Sequence, residues 1–541
     1  MNTFDPINDG SRGEIISLRL SEMDRFVREH AAAREVERAG APRPYGKHPG
    51  REFDLLAELE DLGDLSDPQP EAVLPEIAAF FQGAQRPESK LCLFNLNVLP
   101  TVDATAAACM SMIANVNGLM DAFAGEAMLV EQKVARTIGR WAGWPQAMGI
   151  SCSGGKATMV YALRCAIARA DPEAVLRGVA RPMVVLCSAG AHYSVEHVAS
   201  IVGLGAERVR RVPLDHRGSM QPDALRDALE QAHQEGLTVA AIVCCGGTVI
   251  DFCCDDLAEV HRIALEHATE RNLPMPYLHF DSVIGWLYLA LRGLAPSTVE
   301  AVLGDGPARM RVDEVLLRAQ ALEHFDSLGV DMHKTGLCPY TSSFFVGRDR
   351  GFMDAMGDGT YQYRGEDFAS GRFRAYRYTL ENTRPTHGTL AAWVNMVGLG
   401  RTGLGAYLAD LHDGRAGLEA ALRRHGRFAA LNTTSLGWEV IFDVPQPERI
   451  PGSYRDFAVS FIEHCWRRVF DGHGLPLFSI VPEYHVDHQV ELSRVAFVLY
   501  PMGRRDDDEW NWVVASISEE LDRFTPNGGS AASGAWERPI R

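Results

Sequence analysis

The chain has 541 residues, 46% of them hydrophobic and 23% charged, and its 53 Lys+Arg against 71 Asp+Glu give a net charge of −18. Such a length calls for about two to four domains or subdomains, and the composition is that of a soluble globular protein. The acidic balance disfavours a nucleic-acid or anionic-membrane binding surface.

The opening residues, Met1-Asn2-Thr3-Phe4-Asp5-Pro6, show no basic region followed by an apolar segment, and no apolar run approaches the roughly 18 residues of a membrane span. A cytoplasmic protein is expected. The cysteines include the adjacent pairs Cys244-Cys245 and Cys253-Cys254, in or beside apolar runs, and no CxxC pair occurs. Buried reduced thiols are expected, with no disulfide framework and no metal site.

Residues 1–95 read as a polar helical arm, helical for example across Ser17–Arg38 and interrupted at Ala41-Pro42-Arg43-Pro44-Tyr45-Gly46. The acidic stretch Asp54–Asp67 reads as a solvated helix face with a loop. An arm so poor in apolar residues is expected to pack on another subunit. Helical spacing follows over Val102–Met120 and Glu126–Trp141, where the apolar residues Met128, Leu129, Val134, Ile138 and Trp141 recur. After a break at Gly143-Trp144-Pro145, the run Ser151-Cys152-Ser153-Gly154-Gly155-Lys156 predicts a glycine-rich turn opening a helix. The free N–H groups there suit a phosphate.

Between 180 and 285, short apolar runs (Met183–Cys187, Val239–Cys245, Tyr277–Phe280) alternate with helical stretches near 194–203, 221–234 and 255–270. That alternation predicts a mostly parallel sheet covered on both faces. Ligands in such sheets sit beyond the carboxyl ends of the strands, where this sequence places His192, Thr248, Asp281 and Lys334. Asp326–Gly336 reads as a strand delivering Lys334 to a turn, where its amine could form an imine with an aldehyde. From Arg384-Pro385 a long helical pattern runs through Trp393, Met396, Leu399 and Leu404, and further strands and helices include Trp438–Phe442, Val495–Tyr500 and Trp510–Phe524. The expected organisation is an arm (1–95), a large α/β domain (96–395), a smaller α+β domain (396–524) and a disordered tail (525–541).

Five segments in order carry a resemblance: Ser153-Gly154-Gly155, Ala191-His192-Tyr193-Ser194-Val195, Gly247-Thr248, His279-Phe280-Asp281-Ser282, and Asp326-Ser327 through Asp331-Met332-His333-Lys334. Together they resemble the group II pyridoxal-phosphate (PLP)-dependent amino-acid decarboxylases, the family of the glutamate, aromatic amino-acid and tyrosine decarboxylases. The resemblance covers about residues 90–400. It implies PLP fold type I, the aspartate-aminotransferase-like fold, and a homodimer with shared active sites.

The resemblance also implies residue roles. Lys334 would carry the PLP imine, and Asp281 would hold the proton on the pyridine nitrogen. His192 would stack on the ring, and Thr248 would lie beside a ring substituent. Ser153, Gly154 and Gly155 would cradle the phosphate, and His333 would lie near the phosphate and act as a proton donor. A loop tyrosine would protonate the carbanion; Tyr363, 29 positions past Lys334, is preferred over Tyr361. By residue type alone Asp281 also reads as a strand-end cap, His279 as a core histidine or a site residue, and Arg384 as structural or as a carboxylate partner. His197 reads as structural.

Two departures stand out. Lys156 follows the two glycines where the family commonly has threonine or serine, and either neutralises phosphate or turns outward; Val283 stands where many members have alanine. The expected reaction is decarboxylation of an L-amino acid to the amine and CO₂. The alternative is another PLP reaction on the same scaffold, such as decarboxylation-dependent aldehyde synthesis or C–C cleavage. A P-loop nucleotide site fails on spacing, because five residues separate Gly149 from Gly155 and Ala157 replaces the required hydroxyl residue.

Overall fold

The computed structural model describes residues 84–357, 373–489 and 492–525, together with residue 21. It divides into two compact units. One comprises Phe94–Ala458 and Phe478–Ala515 and holds both sheets. In the other, Leu93 donates its N–H to the Leu477 carbonyl (3.0 Å), and Glu520 accepts from Arg468 (3.0 Å) and His464 (2.9 Å).

Seven strands build the large sheet: β1 (Met148–Cys152), β2 (Met183–Ser188), β3 (Val209–Val212), β4 (Thr238–Cys245), β5 (Tyr277–Asp281), β6 (Ser327–Asp331) and β7 (Ser343–Gly347). Their spatial order is β1-β7-β6-β5-β4-β2-β3. The run β6-β5-β4-β2-β3 is parallel, and β7 is antiparallel to both β6 and β1. The expected mostly parallel sheet of fold type I is present. The apolar runs between 180 and 285 all form strands, each within a residue or two of its expected limits.

Side-chain alternation explains why these runs are nearly continuous. Val184, Leu186, Ile242, Cys244, Leu278, Phe280, Leu328 and Val330 point to one face and pack with Val134, Ile138, Leu225, Leu229, Val260 and Ile263 of the helices Glu126–Trp141, Pro222–Gln234 and Leu257–Arg271. Met183, Val185, Cys187, Ala241, Val243, Cys245 and Tyr277 point to the other, against Met159, Leu163, Val195 and Val198 of the helices Gly155–Ala170 and Ser194–Ile201. Each fully buried Leu, Ile or Phe contributes roughly 1.5–3 kcal/mol, so both helix layers are strongly held. The 155–170 helix comes very close: a Cβ on Gly329 of β6 would lie 2.6 Å from Thr158 Oγ1. Only glycine fits there.

The helical spacing after Arg384-Pro385 forms His387–His425, broken at Gly400, whose φ of 61° and ψ of −172° are not helical. Four antiparallel strands follow as a second sheet, β8 (Ala429–Ala430), β9 (Val440–Asp443), β10 (Ser479–His485) and β11 (Ser493–Leu499), in the order β10-β11-β9-β8. All eleven cysteines are free, and all but Cys109 are buried. Among the described residues no helix is long and apolar enough to cross a membrane.

Candidate active site

Parallel pairing sets the ends of β4, β5 and β6 level, with Cys245 opposite Asp281 and Asp281 opposite Gly329. Asp281 lies on the same strand face as Tyr277 and His279, the face covered by the 155–170 helix. Just past these ends a cavity of about 290 Å³ is lined by Gly155, Lys156, His192, Thr248, Asp281, Val283 and Lys334, among others. The chain thus gathers five of the residues expected from sequence (Gly155, His192, Thr248, Asp281 and Lys334) around one space.

Lys334 is delivered by β6, though not into an open turn. Met332–Thr335 forms a single helical turn, which folds the lysine back so that its Nζ lies 2.8 Å from Oδ2 of Asp331. The Asp331 side chain is 1% exposed, and its other oxygen accepts a hydrogen bond from the Ser343 hydroxyl at 2.6 Å. Asp331 belongs to the Asp326–Lys334 segment, but the residue types there assign it no role. Its only signal is the three-residue spacing to Lys334, which becomes a contact once that stretch is helical.

Asp281 is the second carboxylate beside the lysine. Burial pushes its carboxyl up to about 6; the Lys334 ammonium pulls it down and Asp331 pushes it further up. His192 stands at the cavity mouth with its ring 4.2 Å from that of Tyr193. Its Nδ1 accepts the Ser194 N–H at 3.2 Å, which puts the proton of the neutral ring on Nε2. Desolvation, then the charges of Lys334 and Lys156, hold its pKa below the usual histidine value. The Thr248 hydroxyl is engaged locally, donating to the Ile250 carbonyl (2.6 Å) and accepting the Cys253 N–H (2.9 Å). It therefore fixes the loop after β4.

Three expected residues stand apart from the cavity. Ser153 is exposed and opens onto a narrow crevice with Ser342, Ser343 and Glu381. Gly154, at φ 105°, makes the turn into the helix. His333 is buried behind Lys334, with its Nδ1 3.0 Å from the Ser342 carbonyl and its ring 4.7 Å from that of Tyr340; burial lowers its pKa. Tyr361 and Tyr363 lie outside the described residues.

His279 is fully buried and paired with Ser327 at 2.8 Å, and burial pushes its pKa down to about 3, so it is a neutral core histidine. Arg384 pairs with a carboxylate of the protein itself. Its Nη1 lies 2.8 Å from Glu131, and it also donates to the carbonyls of Gly118 and Ser151. Gly149 lies inside β1, paired with Val346, so no P-loop exists there.

Residues 76–289 match the model of the pyridoxal-dependent decarboxylase conserved domain. That stretch of the chain is therefore similar to pyridoxal-dependent decarboxylases. The matched span holds Ser153, Gly154, Gly155, His192, Thr248 and Asp281, and stops before His333 and Lys334. Human cysteine sulfinic acid decarboxylase is 29% identical over 160 residues, 29% of this chain and 31% of that one, so the match spans about a third of the relative's length. The L-2,4-diaminobutyrate decarboxylase of Rhizobium meliloti (strain 1021) is 28% identical over 302 residues, 55% of this chain and 54% of that one. Among solved structures, Oryza sativa TDC with PLP and tryptamine superposes with a TM-score of 0.72 at 14% identity, covering 94% of this chain and 98% of that one. That likeness shows the fold.

The cofactor of a pyridoxal-dependent decarboxylase domain is pyridoxal 5'-phosphate, and the cavity fits it. A primary amine and a half-buried carboxylate flank one space. The 155–170 helix opens toward it with N–H groups that have no intrahelical acceptor. The cradle is glycine-lined for a steric reason: a Cβ on Gly155 would lie 3.0 Å from both Asp331 Oδ2 and Val283 Cγ1.

Proposed function

We propose that this protein decarboxylates an L-amino acid to its amine and CO₂, with PLP held at Lys334. The observation that carries the reading is the single cavity at the carboxyl ends of β4–β6, lined by both the Lys334 amine and the Asp281 carboxylate. PLP, when bound, supplies an aldehyde for the lysine and a ring that accepts the electrons left on Cα.

The chain's own groups do the rest. Lys334 Nζ is the atom that bonds the cofactor, and Asp331 with Ser343 fixes where it starts. Asp281 holds the proton on the ring nitrogen through a charge-assisted hydrogen bond, which favours its ionised form over the protonated one that burial favours in the free chain. His192, oriented by the Ser194 N–H, offers its flat face to the ring. The opening turn of the 155–170 helix binds the phosphate. His333 stays neutral beneath the site. Tyr363 delivers the proton to Cα, an assignment that rests on the family resemblance and its position 29 residues past Lys334.

The active form is a homodimer in the cytoplasm. Supporting the dimer are large apolar side chains left exposed on the helix Val102–Ala114 and the short helix after it: Val102 (83%), Met110 (69%) and Phe123 (65%). Exposed apolar surface of this kind favours association when it is contiguous.

Incubating the PLP-loaded protein with each amino acid, while measuring CO₂, amine and aldehyde, tests the reaction. Turnover without CO₂ overturns decarboxylation and leaves the cofactor assignment standing. Borohydride reduction followed by peptide mapping should find the cofactor on Lys334; label elsewhere, or none, overturns that assignment. With Tyr363→Phe the amine-to-aldehyde ratio should fall, and an unchanged ratio removes Tyr363 as the donor.

A further inference from the structure

Lys156 lines the same cavity as Lys334 and Asp281. Its ammonium lies 2.9 Å from Nδ1 of His197 and 5.3 Å above the Tyr193 ring. Among the described residues no carboxylate pairs with it. The nearby acids are engaged elsewhere: Glu196 holds Arg211 through two contacts (2.6 and 2.9 Å), and Asp331 holds Lys334. Lys156 also sits in the first turn of a 16-residue helix that has no acidic residue there and no side-chain cap. A cation at that end opposes the helix dipole, so the placement is unfavourable unless an anion is shared.

The cavity is therefore polarised. Asp281 lines one part of it with a carboxylate, while Lys156, His192 and the helix opening line another with donors and positive charge. An imidazole nitrogen and a ring face are weaker partners for an ammonium than an oxyanion is.

We propose that Lys156 is an oxyanion-binding residue of this site. The anion is either the cofactor phosphate or an acidic group on the substrate side chain. Both present the same chemistry, two or three oxygens carrying negative charge. The inference rests on the cofactor reading above and goes beyond it, because it makes Lys156 a determinant of what the pocket holds.

The experiment compares the full-length protein with Lys156→Met and Lys156→Arg. Binding of PLP and of pyridoxal, which lacks the phosphate, is titrated by absorbance, and KM is measured for acidic and for neutral amino acids. If the partner is the phosphate, Lys156→Met weakens PLP on the order of tenfold, leaves pyridoxal unchanged, and Lys156→Arg restores most of the loss. If the partner is the substrate, PLP binding is unchanged and KM rises on the order of tenfold for acidic amino acids only. Unchanged PLP affinity together with unchanged KM values overturns the proposal. Should the wild-type protein take up no PLP, the cofactor reading falls, and inorganic phosphate decides the inference. A phosphate-induced rise in Tm that is lost in Lys156→Met supports it; a rise that persists, or none in the wild type, overturns it.

Discussion

Two carboxylates flank Lys334, and they differ in kind. Asp331 is sealed in and shared between the lysine and Ser343, whereas Asp281 faces the cavity with its carboxyl pushed up to about 6. The cavity-facing group is the one a bound ring can perturb. Replacing Asp281 by Asn keeps the shape and removes the charge. Cofactor should still be trapped on Lys334 by borohydride, while kcat falls by about a hundredfold or more, the scale of losing a positioned proton-holding group. A variant that turns over normally would exclude Asp281 from the chemistry. At this scale much was legible, because Lys334, His192, Thr248 and Asp281 recur in a recognisable order along the chain. The Asp331 contact was not, since it needs a helical turn where the residues suggested a plain one. The Lys156–His197 contact joins residues 41 positions apart and left no trace in local pattern.

At the scale of elements, the alternation of apolar runs foretold the parallel sheet, because strands covered on both faces have no polar side to show. What the pattern could not foretell is how the edges are fastened. Arg384 and Glu131, 253 positions apart and each 4% exposed, link the segment before the 387–425 helix to the 126–141 helix. Glu131 also accepts the N–H (2.9 Å) and hydroxyl (2.7 Å) of Ser151, and so anchors β1. Breaking this pair by Arg384→Met strands a buried carboxylate and should cost about 3–5 kcal/mol in urea unfolding. The double variant Arg384→Met, Glu131→Gln should lose clearly less than the sum of the two singles. Strict additivity would mean that the two side chains act independently.

For the whole molecule, pH offers a test of burial. Asp255 is fully buried, accepts the N–H groups of Met220 and Cys245 at 2.6 Å each, and burial still pushes its carboxyl up to about 6, as it does that of Asp281. A carboxyl raised above its unfolded value binds its proton more tightly in the folded chain. Its contribution to stability is therefore full below about 4 and is lost as pH rises through about 6. Urea midpoints across that window should show a declining contribution that Asp255→Asn removes. The variant should also cost about 1–3 kcal/mol at neutral pH, because one of the two N–H groups loses its acceptor. An unaltered pH slope in the variant would show that Asp255 titrates normally. The thiols carry a further consequence. Burial raises Cys165, Cys187, Cys254 and Cys338 to about 12, which makes them poor nucleophiles at neutral pH, whereas Cys109 is exposed on the Val102–Ala114 helix beside Met110. Iodoacetamide should thus alkylate one cysteine per native chain, and if the proposed homodimer forms through this helix, its rate of modification should fall as protein concentration rises; a rate independent of concentration would place the contact elsewhere.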